Sequence, residues 1–194
     1  MGGVAASETS RWGLLFTPPC DRGGMAKSDS FFIRKTIDAE NLNTFQQGAI
    51  DLGAYVDALG KSVLRIHNVQ VTYSDNNGRS NTILGGEAAV AQWQLTTQSQ
   101  SDIVRDDDKS VISSGRCHYD NRQGAPALAG TVSDQNGVNL HDWTNGYLVG
   151  VEQIYLGGSA STGFAGDVYI TVVMECTVET LTQSAAMALA LSQQ

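Results

Sequence analysis

Proline is nearly absent from this chain, three residues in 194, and charged residues make up only 16%. Low charge, 21 glycines and abundant Thr, Ser, Gln and Asn suit a β-rich protein with many turns. Cysteine is scarce too: Cys20, Cys117 and Cys176, an odd number with no two close in sequence. The missing Cys-x-x-Cys pair argues against structural zinc, and three scattered thiols read as reduced residues of a protein made in cytoplasm. No apolar run reaches the ~18–20 residues that span a membrane, and the N-terminus lacks the basic and apolar regions of a secretory leader. The segment WGLLF (12–16) is too short for either and is followed by Pro18-Pro19. Positive charge is in deficit, 12 Lys and Arg against 20 Asp and Glu, for a net of −8. That balance argues against bulk nucleic-acid binding, which needs a basic surface. Residues 1–35 carry a net of +2, from Arg11, Arg22, Lys27, Arg34 and Lys35 against Glu8, Asp21 and Asp29. Two charges are too few for a genome-binding arm.

Catalytic signatures are missing as well. No GxSxG, GxxxxGK or HExxH occurs. The three histidines, His67, His118 and His141, are far apart. A cupin-type metal site would show paired histidines on one strand with a following Glu, but His67 precedes Asn68-Val69 and His118 precedes Tyr119-Asp120. No cofactor, metal or catalytic residue is expected.

What the sequence does hold is strand pattern. Residues 167–179 (DVYITVVMECTVE) place Val168, Ile170, Val172, Met174, Cys176 and Val178 on one side. The other side is mostly polar. A side-chain period of two marks a strand with one buried face. Such a face needs a sheet beside it and a second layer over it. Cys176 belongs to the apolar side and reads as a small buried hydrophobe.

The rest of the chain follows suit. Residues 1–30 are rich in Gly, Ser and Ala and read as an irregular arm; Met25-Ala-Lys-Ser also resembles a translation start, so residues 1–24 are either an annotation artefact or a true extension. If real, the arm carries one apolar cluster in Trp12, Leu14, Leu15 and Phe16, to be set against a neighbouring subunit or left disordered. Residues 31–37 form a strand, and 38–43 (DAENLN) suit one helical turn capped by Asp38. Residues 45–57 read as extended, with Ile50, Leu52, Ala54 and Val56 on one face. Residues 63–73 (VLRIHNVQVTY) change phase near His67-Asn68, as a β-bulge requires. Residues 88–97 put Ala89, Ala91, Trp93 and Leu95 inward. Residues 99–109 are a polar surface loop, 111–119 one or two strands, 121–136 a loop, and 138–143 a short extended piece. Residues 147–156 place Tyr147, Val149 and Val151 on one face, and 157–166 form a Gly/Ser-rich connection. Asn-Gly at 77–78, 136–137 and 145–146 favours hairpin turns. Strands without intervening helices argue for antiparallel packing in a two-sheet sandwich or a closed barrel. The tail (TLTQSAAMALALSQQ) favours a helix capped by Thr182 or Ser184, apolar on several sides and in need of cover.

Two further patterns could carry binding. Asp102, Asp106, Asp107 and Asp108, or the Asp75-Asn-Asn-Gly78 turn, could hold calcium, although the glycine and the final carboxylate of a calcium loop are misplaced and solvated acidic loops are commoner. Trp93, Trp143, Tyr147 and Tyr155 could form a sugar-binding face, although the alternation assigns Trp93 and Tyr147 to the core.

The phrases IDLGAYV (50–56), SVLRIHNV (62–69) and DVYITVVME (167–175), with the arm, the uneven strands and the appended tail, resemble the single jelly-roll capsid proteins of tailless icosahedral viruses of bacteria or archaea. The resemblance implies an all-β, antiparallel two-sheet jelly-roll sandwich over residues 31–179, with an irregular arm at 1–30 and a short helix at 180–194. It further implies a non-enzymatic virion shell subunit, made in host cytoplasm, that self-assembles. Its partners would be other copies, and through residues 180–194 other coat proteins or an internal membrane. Small RNA-virus capsids of this fold often have a strongly basic arm, so the acidic balance here better suits a DNA virus. The rivals are a carbohydrate-binding jelly roll and, behind it, a cupin-type metal enzyme.

Overall fold

Period-two burial is strictest on Tyr169–Thr180, the last strand of the chain. Val168 just before it, and Ile170, Val172, Met174 and Cys176 within it, are all fully buried. The computed structural model describes residues 28–57, 61–122, 131–138 and 143–194. The arm with its Trp12–Phe16 cluster, Cys20, and His141 with most of the 138–143 piece therefore lie outside the described residues.

Nine strands and one helix are described: β1 (Phe31–Asp38), β2 (Gln46–Asp51), β3 (Ser62–Ser74), β4 (Ala88–Thr96), β5 (Val111–Asp120), β6 (Thr131–Asn136), β7 (Tyr147–Val149), β8 (Gln153–Ala160), β9 (Tyr169–Thr180) and α1 (Gln183–Ser192). One sheet runs β1-β9-β3-β7 and the other β2-β8-β4-β5-β6, and every pairing is antiparallel. The pairs β1·β9, β2·β8, β3·β7 and β4·β5 are nested, as in one long hairpin whose tip is β4–β5. Successive rungs of that hairpin alternate between the two sheets, so the hairpin is rolled around a core. This is the jelly roll, with β6 added at the free edge of β5. The inner faces meet through Leu64, Ile66, Val172, Met174, Trp93 and Leu156, all buried.

The phase change in β3 is a register shift between Ile66 and Asn68 opposite Cys176 and Glu175. It lets Leu64 and Ile66 on one side of the bulge and Val69 on the other reach the same core. On β4, Ala89, Ala91, Trp93 and Leu95 face inward as the alternation predicts. Gln94 and Thr96 on the outer face are buried too, because the 97–110 loop folds back over them. The Gln94 carboxamide donates to the Val104 carbonyl at 2.8 Å and accepts from the Val104 N–H at 3.1 Å.

Several expectations are corrected. Residues 38–43 make no helical turn: Asp38 Oδ1 accepts from the Glu40 N–H at 2.9 Å, and Glu40 and Asn43 have φ of 54° and 63°, outside helical backbone. The strand expected over 45–57 ends at Asp51, whose carboxylate accepts from the Gly53 N–H at 2.9 Å. The chain then turns, with Leu52 and Val56 buried and Ala54 exposed. The loop expected over 121–136 contains β6, paired with β5. The segment 147–156 is broken into β7 and the start of β8.

The Gly/Ser connection expected from 157 begins instead as the end of β8. Its glycines are there for closeness: a Cβ on Gly158 would stand 2.7 Å from Ile170 Cδ1 and 2.9 Å from the Gln92 carbonyl. The Asn-Gly turns join no pair of hydrogen-bonded strands. They lie between β3 and β4 and between β6 and β7, which belong to opposite sheets. Antiparallel pairing thus arises from the rolled hairpin rather than from local turns.

The tail is the helix α1, and its N-cap is Thr182, whose hydroxyl accepts from the Ala185 N–H at 3.3 Å. Ala186 and Ala190 are buried, while Met187 and Leu191 are 43% and 66% exposed.

Candidate functional site

A jelly roll that binds a ligand or metal within needs a hollow or polar interior. Here the interior is filled by aliphatic side chains and Phe164, each with essentially no exposure. His67 and His118 do not meet. His67 sits at the β3 bulge and its Nε2 lies 2.9 Å from Thr177 Oγ1, on the outer face of the four-stranded sheet. His118 lies between inward-facing Cys117 and Tyr119 and so points to the outer face of the other sheet. Among the described residues, no group of three His, Cys, Asp or Glu side chains is placed to hold a metal ion.

The four aromatics form no shared platform. Trp93 is core, and Tyr147 packs on the core as the alternation assigned. Burial raises the Tyr147 phenol above its usual range. Tyr155 lies on the outer face of the five-stranded sheet, its hydroxyl 2.7 Å from Gln153 Oε1. Trp143, half exposed, precedes β7 in the opposite sheet.

Carboxylates of the acidic loops accept from nearby backbone N–H and serine hydroxyl groups. Asp75 Oδ1 accepts from the N–H groups of Asn77 and Arg79, both at 2.8 Å, and the Arg79 bond leads in lowering its pKa. Asp108 accepts from the Ser110 N–H and hydroxyl, which lowers its pKa likewise. Asp106 accepts from Ser114 Oγ at 2.6 Å, and Ile103 N–H caps Asp102 at 2.8 Å. A carboxylate already bonded in this way is a turn-former. A cleft of about 520 Å³ lies beside this loop, lined by Gln92, Arg105, Asp106, Asp107, Ser114 and Arg116 among others. Its Arg105–Asp107 ion pair is largely exposed and thus weak.

A largely buried ion pair left no mark in the sequence pattern. Arg65 on β3 donates to both Glu179 oxygens on β9 at 2.7 and 2.8 Å, with side chains 15% and 5% exposed. The bond to Glu179 raises the Arg65 pKa further. Arg65 also donates to the Asn145 carbonyl. Next to it, Gly146 has φ of 61° and a Cβ there would sit 2.2 Å from the Ile66 carbonyl, so the Asn-Gly turn is pressed onto the bulge. The polar positions Thr177 and Glu179 are therefore buried rather than wet.

Among the described residues two cysteines, Cys117 and Cys176, are buried. Burial pushes the Cys176 thiol up to about 12. An unfolded thiol ionises near 8.5, so the stability gained by keeping Cys176 neutral is complete below that pH and is lost as pH rises toward 12. With Cys20 replaced by serine, neither remaining thiol should react within minutes with a bulky aromatic disulfide at pH 8. Prompt reaction of one equivalent would contradict this placement.

Leu42 and Leu84, 62% and 46% exposed, share one end of the sandwich. Asn41 Nδ2 reaches the Phe164 carbonyl at 3.4 Å and the Leu84 N–H reaches that of Gly163 at 2.9 Å, which fixes both leucines around the β8–β9 connection. Leu42 lay hidden in a polar stretch, and only its lack of a buried neighbour in the pattern could have singled it out.

No family model matches the chain, and no curated protein matches it. Among solved structures it is similar to one described as Desmodium yellow mottle tymovirus, with a TM-score of 0.40 and 10% identity, over 89% of this chain and 96% of that one. A likeness of that degree adds nothing to what the strand topology itself shows.

Proposed function

We propose that this chain is a virion shell subunit, a single jelly-roll capsid protein that self-assembles into an icosahedral particle. The observation that supports the reading is where the fold leaves room for function. The inside of the rolled hairpin is dry and full, so the chain's work falls to its outer surface, and a non-enzymatic role in contact with other copies fits that division. The finer assignment, to a tailless virus of bacteria or archaea, rests on the sequence phrases at 50–56, 62–69 and 167–175. The acidic balance supports a genome packaged without a basic arm. The protein then belongs to the virion after synthesis in host cytoplasm, and residues 180–194 are the segment through which other coat proteins or an internal membrane would be met.

The carbohydrate-binding alternative has one residue in its favour, half-exposed Trp143. Glycan binding by the monomer, lost in Trp143→Ala, would favour it over the shell.

The shell reading is tested by light scattering across concentration on the wild-type chain and on Leu42→Glu/Leu84→Glu. The double variant should need about tenfold more protein to associate, a contact loss of some 1.4 kcal/mol. Its thermal midpoint should barely move, since exposed positions usually change stability by under about 0.5 kcal/mol. Wild-type protein that stays monomeric throughout would count against the shell. An unchanged threshold in the variant would remove this end of the sandwich from the contact.

A further inference from the structure

Helix α1 is ten residues long and its buried side chains are two alanines, Ala186 and Ala190. Helices below ~12–15 residues are marginal alone, and two alanines bury little apolar area. Polar contacts tie the C-terminal end of α1 to the body, above all at the C-cap Gln193, which is 4% exposed, and beside it Lys109 Nζ donates to the Gln194 carbonyl at 2.7 Å. The Gln193 carboxamide oxygen accepts from the Gly150 N–H at 2.8 Å, and its Nε2 donates to the Leu148 carbonyl at 2.7 Å. Those two groups lie on the outer edge of β7, the last strand of the four-stranded sheet. A side-chain amide thus takes the place of a neighbouring strand's peptide, as Gln94 does toward Val104. The Gln193 main-chain carbonyl accepts from Thr97 Oγ1 at 2.9 Å and Gln98 Nε2 at 3.3 Å, tying the same residue to the β4–β5 loop. Gly150 completes the seat: a Cβ there would stand 3.1 Å from both the Ala190 N and Leu189 Cγ.

We propose that α1 is a detachable strap, clasped by Gln193 over the free edge of β7, and that opening the clasp bares this edge to an extended segment of a second copy of the chain. The second half rests on the shell reading; the clasp does not. An open edge of N–H and C=O groups is a template for another strand. The outer face of α1 is a poorer contact, because Met187 and Leu191 alone cannot supply the ~1,200–2,000 Å² of a stable specific interface. A short helix whose polar ties to the body gather at its C-terminal end is also the kind of element that opens well below global unfolding.

The test is hydrogen exchange on the full chain, read at residues 147–153, for wild type, Gln193→Ala and Gly150→Val. The second variant displaces the helix without touching Gln193, and unchanged β-sheet circular dichroism verifies folding of both. Each variant should speed exchange at the residue-150 amide, taken relative to the intrinsic rate of the residue there, by about tenfold or more. Each should also associate at lower concentration than wild type by light scattering. Exchange within twofold of wild type in Gln193→Ala would overturn the clasp. Faster exchange with an unchanged association threshold would overturn the β7 edge as the docking surface. If wild type and variants alike never associate, the shell reading and the edge fall together, while the exchange result still decides the strap.

Discussion

Replacing Phe164 with alanine should lower the free energy of unfolding by about 3–5 kcal/mol, the usual cost of emptying a fully buried aromatic site. Phe164 is 1% exposed although it lies in the connection between β8 and β9. Its ring meets Tyr119 edge-on with centroids 5.2 Å apart, and its backbone forms a bridge to Ile83. One side chain therefore plugs the end of the sandwich and fixes two long connections to β5. The site cannot collapse easily, because β4 and β5 are held in ladder by their neighbours. Against a total of about 5–15 kcal/mol for a domain, the loss should be plain as a lower urea midpoint at unchanged slope. A loss under about 1 kcal/mol would mean that the plug is dispensable.

Arg65→Ala should cost a similar amount, about 3–5 kcal/mol, for a different reason. The loss is set by what remains: a Glu179 carboxylate 5% exposed and without its bidentate partner. The Asn145 carbonyl and the turn leaning on the β3 bulge lose their anchor in the same step. The double change Arg65→Met/Glu179→Leu should recover most of that stability, since two apolar side chains of similar size leave no orphaned charge. A double-mutant cycle measures the coupling. Were the pair acting like an exposed one, Arg65→Ala would cost no more than about 1 kcal/mol, and the role given to the outer face of β3 and β9 would be wrong.

Strands with one apolar and one mostly polar face were legible in the sequence because that division writes a period of two on them. β9, β4 and the two halves of β3 are of that kind, and even the bulge showed as a slip of phase at His67. β6 was hidden because TVSDQN has no apolar stripe; it exists through its ladder to β5. The end of β8 was hidden because Gly157 and Gly158 read as a loop, whereas Phe45 takes the space of one missing side chain and Ile170 of the core that of the other. Strand order was beyond reach of local pattern, since Phe31 pairs with Cys176 across most of the chain. The resemblance supplied the jelly roll that periodicity left open between sandwich and barrel.

Polar partnerships were the least legible. Arg65 and Glu179 both sit at nominally outward positions of two long strands, and only the register shows that they meet. Gln193 looks like the fraying end of a helix until β7 is placed beside it. The acidic loops could be read for charge but not for the backbone N–H groups that occupy their oxygens.

The central claim is that this chain acts by meeting copies of itself, and electron microscopy of the purified full-length protein, concentrated stepwise, addresses it most directly. The account predicts closed particles of a single size above a threshold concentration. A field of monomers at every concentration, or irregular aggregates of no fixed diameter, would contradict it.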